Sequence, residues 1–181
     1  MMASIKRIAS ATVCSVIVII AIVVSNNKIR TTEQGLVIIG SAESCRREPY
    51  TCPAGLLTDG VGNTYGVKSG TRKSDKEIAR DWERNILEAE KCINTYFNGR
   101  EMSDNAFSAM TSAAFNMGCY NLRFYRNSDG EYRQTSIHMH ANSGNWLHMC
   151  NHLPDFANSG GKKLSGLVVR REQERALCLI K

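Results

Sequence analysis

Proline is scarce in this sequence, three in 181 residues, and there is no low-complexity tract and no internal repeat. A hydrophobic fraction of 43% accompanies these absences, so the chain has the apolar mass for a packed core and is not a disordered polypeptide. Its length allows one domain of ordinary size, or one domain with an appendage. No Cys-x-x-Cys pair occurs, which removes the main signature of zinc ribbons and thioredoxin-like redox proteins. The net charge is +6, but the Lys and Arg residues are scattered and form no stripe. Nucleic-acid binding is therefore not expected. The charge favours polyanions only in the general sense that includes anionic lipid and an acidic cell wall.

What is present is cysteine, at positions 14, 45, 52, 92, 119, 150 and 178. Spread-out cysteines suit an oxidising compartment and a disulfide framework, and the odd count leaves at least one thiol over. The N-terminus agrees with export. Lys6 and Arg7 precede residues 8–24, which carry no charge and are near the lower length limit for a membrane-spanning helix. Ala9, Ser10, Ala11, Thr12 and Ser15 dilute that run, making it a marginal membrane helix, able to enter a bilayer and to leave one. Val23 and Ser25 make a weak cleavage site, so on these features a cleaved signal peptide and a retained anchor both stay open. Lys28 and Arg30 balance Lys6 and Arg7, so the flanking charge does not set an orientation.

The remainder reads as mostly helical. A short helix is expected within residues 32–45, with Glu43 near its end, broken by Pro49, Pro53 and Gly55. Residues 56–67 suit a short, bent β-hairpin. Ser74-x-x-Glu77 is a capping box, and Ile78, Trp82, Ile86, Ala89, Ile93 and Phe97 follow at helical spacing up to Asn98-Gly99. Residues 103–118 read as a buried helix, "RNSDGEYR" as a loop or short hairpin, and "NWLHMCNHL" as another helix. "GLVVRREQERALCLI" reads as a final helix with an apolar face at Leu167, Val169, Ala176 and Leu177. The fold class is α+β: a small lobe with a hairpin, one long helix and a helical lobe.

One stretch concentrates reactive groups: "ESCRREPYTCPAGLLT", residues 43–58. A carboxylic acid at a helix end, facing a second polar group across a cleft, is the arrangement that splits a glycosidic bond. One group protonates the leaving oxygen while the other assists attack on the sugar carbon. A glutamate on an apolar cleft wall can hold its proton at neutral pH. The spacing alone is also that of an ordinary solvated glutamate.

The residues Glu43, Cys52 and Thr58 resemble the Glu-Asp/Cys-Thr triad of phage-type lysozymes, glycoside hydrolase family 24. "TDGVGNT" at 58–64 resembles that family's Thr-x-Gly-x-Gly-His-Thr hairpin, and "AAFNMG" at 113–118 its Phe-Asn-x-Gly helix. "GLVVRREQE" at 166–174 resembles its Gly-Leu-x-x-Arg-Arg-x-x-Glu segment. The four segments keep the family's order. The resemblance implies a lysozyme-like fold and a muramidase that cleaves the β-1,4 bond between N-acetylmuramic acid and N-acetylglucosamine in peptidoglycan. It implies Glu43 as the acid, Cys52 beside the reacting sugar carbon, Thr58 orienting water and Arg170 supporting Glu43. No cofactor and no metal are expected. Two departures stand out. Cys52 replaces the usual second acid, and a thiolate is a better nucleophile than a general base, so retaining and inverting outcomes are both open. The motif histidine is Asn63.

The chain is further similar to signal-anchor-release endolysins with a cysteine in the anchor, one after the catalytic glutamate and one in the triad; here these are Cys14, Cys45 and Cys52. The likeness implies an uncleaved anchor over residues 1–27 and a lysozyme domain over 28–181. It implies a latent form, tethered to the host inner membrane and facing the periplasm, with a Cys45–Cys52 disulfide. After release, triggered by a membrane-permeabilising holin or pinholin, Cys14 would attack as a thiolate, giving Cys14–Cys45 and liberating Cys52. A monomer is expected. The other four cysteines allow three connectivities, of which Cys119–Cys150 with Cys92–Cys178 is the expectation. Other readings are a thiol protease pairing Cys52 with His138, His140, His148 or His152, and a zinc site drawing on those histidines and Cys150. A third is a non-enzymatic wall-binding protein that has kept a lysozyme fold.

Overall fold

Ser74 accepts a hydrogen bond from the Glu77 amide, and Glu77 in turn accepts one from the Ser74 amide, closing the capping box. The 22-residue helix that follows, Asp75–Tyr96, is the axis of the molecule. This is a computed structural model, and it describes residues 12–52 and 55–180. The Lys6-Arg7 start, the apolar run at residues 8–11 and Pro53 lie outside the described residues.

In chain order the elements are α1 (Val16–Asn26), α2 (Glu33–Ser41), β1 (Cys45–Thr51), β2 (Leu57–Val61) and α3 (Asp75–Tyr96). They continue with α4 (Asp104–Met117), α5 (Cys119–Arg123), β3 (Phe124–Arg126), β4 (Tyr132–Gln134), α6 (Ser136–Asn142) and α7 (Trp146–Asn151). A two-residue pair, β5 (Asn158–Ser159) and β6 (Lys162–Lys163), precedes α8 (Ser165–Cys178). Each hairpin is antiparallel.

Two apolar clusters meet along α3. Its first half sends Ile78, Trp82 and Ile86 into a small-lobe core with Leu36, Ile39 and Val61. Ile93 of its second half and Phe97, the residue capping its end, enter the helical-lobe core with Phe107, Met110, Leu122 and Met149. Phe115 packs against both. The helical period of the apolar residues thus serves two cores in turn, which fits a two-lobed α+β protein with a cleft between its lobes.

Helix α1 also belongs to the small-lobe core. Ile19, Ile20 and Val23 are buried against α2 and α3, while Ile17 on the opposite face is 78% exposed. Gly40 of α2 makes this close approach feasible: a Cβ there would meet Val16 Cγ1 at 2.5 Å. At 11 residues α1 is short, and no helix among the described residues is long and apolar enough to cross a membrane.

Several details differ from the sequence reading. The hairpin is not contained in residues 56–67; its first strand is β1, so Glu48, Pro49 and Tyr50 are strand residues, with a register irregularity between Arg46 and Tyr50 that accommodates the proline. The disulfides of the helical lobe are Cys92–Cys119 and Cys150–Cys178, not Cys119–Cys150 and Cys92–Cys178. Cys119 opens α5 beside α3, and Cys178 ends α8 beside α7, so contacts between elements decide the pairing. Finally, α8 buries Arg170, Arg171 and Glu174 together with Leu177, while Val169 is exposed. Its buried face is largely charged, where an apolar one is expected.

Candidate active site

Glu43 lies just past the C-terminal end of α2, where its amide donates to the Gly40 carbonyl at 3.2 Å. The chain turns there and enters β1 at Cys45. The carboxyl is partly exposed in a cavity of about 660 Å³ whose wall includes Ser41, Asn116, Arg170 and Gln173. Arg170 Nη1 is 3.8 Å from Glu43 Oε1. Burial pushes the Glu43 carboxyl above its ordinary range, and the Arg170 guanidinium opposes that rise. The net direction is upward, as a general acid working near neutral pH requires. Arg170 is itself buried.

The β1–β2 hairpin closes the other side. Its turn after β2 brings Gly62 against the glutamate, and a Cβ there would lie 2.9 Å from Glu43 Oε2. Gly62 also has φ +68, so both its backbone and the space around it call for glycine. The turn is pinned from α3. Asp59, almost fully buried, pairs with Lys73 at 2.6 Å, and Lys73 pairs with Asp81 at 2.7 Å. Asn63 donates to Asp59 Oδ1 at 2.8 Å and accepts from Arg84 at 2.7 Å. The residue in the motif-histidine position therefore still ties the hairpin to α3, through its amide.

Cys52 follows β1, and its amide donates to the Leu56 carbonyl at 2.9 Å. Thr58 sits in β2 opposite Tyr50; it is buried, and its hydroxyl donates to the Leu56 carbonyl at 3.1 Å. Structure thus joins Glu43 to Arg170 directly and holds Cys52 and Thr58 on the hairpin whose turn abuts Glu43. Cys14 is bonded to Cys45, and Cys52 is half-buried. Backbone pairing accompanies the bond: the Cys14 amide donates to the Cys45 carbonyl at 3.1 Å, the Arg47 amide to the Thr12 carbonyl at 2.8 Å, and Val13 bridges Arg46. Residues 12–14 thereby extend the hairpin edge next to the glutamate.

The histidines lie elsewhere. His138 is buried between the rings of Phe97 and Phe124. His140, His148 and His152 form a separate surface group, and the bond from Cys150 to Cys178 removes that sulfur as a thiolate ligand. Among the described residues no set of three or more His, Cys, Asp or Glu side chains is arranged to hold a metal. Sequence reasoning did not single out Gly62, Lys73, Ser112, Asn116 or Glu174 as site residues. Gly62, Asn116 and Glu174 do stand inside the motifs it used.

A cleft between a helical lobe and a β-hairpin, with a glutamic acid of raised pKa on its wall, defines a glycosidase of the lysozyme class. A sequence model of the phage lysozyme family matches residues 40–174. The chain belongs to that family, and it is a lysozyme. It is 60% identical to the SAR-endolysin of Escherichia phage P1, over 92% of this chain and 91% of that one. It is 41% identical to the SAR-endolysin of Haemophilus phage HP1, over 96% and 98%. The crystal structure of the active form of the P1 phage endolysin Lyz superposes with a TM-score of 0.91 at 58% identity, covering 94% of this chain and 96% of that one. The secreted inactive form of the same endolysin gives 0.62 at 61% identity, covering 82% and 95%. At near-equal identity, the conformation described here is close to the active form.

Proposed function

We propose that this chain is a phage endolysin that hydrolyses the β-1,4 bond between N-acetylmuramic acid and N-acetylglucosamine in peptidoglycan, and that its site is assembled by thiol–disulfide exchange. Glu43 protonates the leaving oxygen, Cys52 stands beside the reacting sugar carbon in place of a second carboxyl, and Thr58 orients water. Arg170 holds the Glu43 side chain and limits the rise of its pKa.

The latent form carries Cys45–Cys52 and is tethered to the host inner membrane, facing the periplasm, by an anchor comprising residues 1–27, with residues 28–181 as the lysozyme domain. On release, prompted by a holin or pinholin, the Cys14 thiolate attacks Cys45 Sγ. The Cys14–Cys45 bond forms, the Cys45–Cys52 bond breaks and Cys52 leaves as a thiolate, with no net oxidation. The released enzyme acts as a monomer in the periplasm. The observation that carries this reading is the Cys14–Cys45 disulfide in a conformation near the active one. Glu43→Gln should abolish peptidoglycan hydrolysis. Cys45→Ser should hydrolyse the wall while still tethered, and Cys14→Ser should stay latent after release. Equal activity of these two cysteine variants and the parent in the tethered state would sink the exchange.

A further inference from the structure

We propose that Glu174 is a positioning residue of this enzyme, a buried carboxylate that acts through two arginines to place both Glu43 and Asn116 on the cleft wall. The inference rests on the reading of Glu43 as the acid. Arg170, Arg171 and Glu174 fall on one face of α8, and Arg171 and Glu174 have no exposed surface. Glu174 Oε1 accepts from Ser112 Oγ at 2.6 Å and from Arg170 Nε at 3.2 Å. Glu174 Oε2 lies 3.1 Å from Arg171 Nε, an ion pair off the hydrogen-bonding line.

The far end of Arg170 reaches the cleft, and that of Arg171 reaches a residue on the cleft wall. Arg170 Nη1 points to Glu43 Oε1 at 3.8 Å, while its Nη2 donates to the Ser112 carbonyl at 3.3 Å. Arg171 Nη2 donates to Asn116 Oδ1 at 2.8 Å. Glu43 and Asn116 line the same cavity. One carboxylate therefore fixes the near end of each arginine, and each arginine fixes one cleft group.

Stability does not account for this arrangement. Burying a charged trio costs desolvation that a well-packed apolar stripe would avoid, and such a stripe often stabilises a fold as well or better. The amphipathic period of α8 offers these same positions to leucine. Burial raises the Glu174 carboxyl, against the pull of Arg171, Ser112 and Arg170. Two donors on Oε1 and the Arg171 guanidinium 3.1 Å from Oε2 are nonetheless the surroundings of the ionised group. Arg170 and Arg171 are the charged groups against Glu174; α4 contributes the neutral Ser112 to it and Asn116 to Arg171. Arg170 is the charged group acting on Glu43, and the turn after β2 brings it the Gly62 backbone. With Glu174 ionised, the arginine pair presents one net positive charge behind Glu43. Without it there are two, and Glu43 ionises more readily.

The test uses the full chain in its Cys14–Cys45 form, with soluble glycan strands of peptidoglycan as substrate. Glu174→Gln keeps the shape and removes the charge. It should lower kcat on the order of tenfold or more with a smaller change in KM, because a displaced acid costs rate more than binding. It should also move the alkaline limb of the kcat profile to lower pH by about 1 unit. Ser112→Ala removes a hydrogen bond that favours the ionised Glu174, so that Glu174 holds its proton more readily, and should move the limb the same way by less. Limbs at the parent pH in both variants overturn the proposal. So does a loss of rate that follows only a loss of folded protein, with the parent profile retained. If Glu174→Gln does not fold, the Ser112→Ala limb decides. Activity retained in Glu43→Gln would instead overturn the acid assignment, a result separate from an unmoved limb.

Discussion

Glu43 is held between two opposed influences. Partial burial disfavours its charge and raises its pKa, and Arg170 favours the charge and lowers it. A general acid works while protonated, so activity should fall as pH rises through the Glu43 pKa, at a pH above the ordinary glutamate range. Arg170→Gln removes only the lowering influence. The alkaline limb should then move to higher pH even as kcat falls, the opposite shift to that expected for Glu174→Gln. A pH–rate series on the two variants checks the sign. Glu43 and Arg170 stand in motifs, and the resemblance implied their pairing; no local rule reads the 3.8 Å approach, since it joins the end of α2 to α8. The clamp on the hairpin turn was not legible at all. Lys73 reads as a surface lysine before a capping box, yet it neutralises Asp59, which is 1% exposed. Lys73→Met would strand that carboxylate and should cost about 3 kcal/mol, seen as a lower denaturation midpoint at unchanged m.

At the scale of elements, periodicity found α3 and α4 nearly to the residue, because their buried faces are apolar and their caps are serines. It misread α8, whose buried face carries charge; local rules tend to break where a site is built. The β1–β2 hairpin was half legible. Glycines marked its second strand and turn, while Glu48-Pro49 concealed the first. Docking of α1 was the least legible feature, since the same apolar residues suit a bilayer and a core. The contact between Gly40 and Val16 makes the docked arrangement testable. Gly40→Ala should overpack this seam and lower the stability of the Cys14–Cys45 form by about 1–3 kcal/mol. Adding Val16→Ala should restore most of the loss by clearing the space. Thermal melts of the two variants check this, and a double variant no more stable than Gly40→Ala alone would show that the seam does not limit docking.

Across the whole molecule the three disulfides divide by what they join. Cys92–Cys119 and Cys150–Cys178 each tie elements of the helical lobe, with sequence separations of 27 and 28. Removing Cys150–Cys178 by paired alanines should cost about 3–4 kcal/mol on the loop-entropy account. It should leave kcat unchanged at temperatures where the variant is folded, since the bond lies away from the cleft. Cys14–Cys45 joins α1's N-terminal flank to the strand that follows Glu43, so on the exchange reading its loss acts on timing as well as stability. The number of cysteines announced an exchange only through the resemblance; the expected pairing of the other four failed because each bonds its neighbour in sequence, where α5 packs on α3 and α7 on α8. The exchange further predicts an order of dominance. Cys14 acts solely by attacking Cys45, and Cys45 confers latency solely by holding Cys52. Cys14→Ser alone should therefore be latent. Cys14→Ser with Cys45→Ser should match Cys45→Ser and hydrolyse the wall while still tethered, though with a lower melting temperature than the Cys14–Cys45 form. A double variant that stayed latent would mean that α1 docking and its edge pairing at residues 12–14, and not the freeing of Cys52, switch the enzyme on.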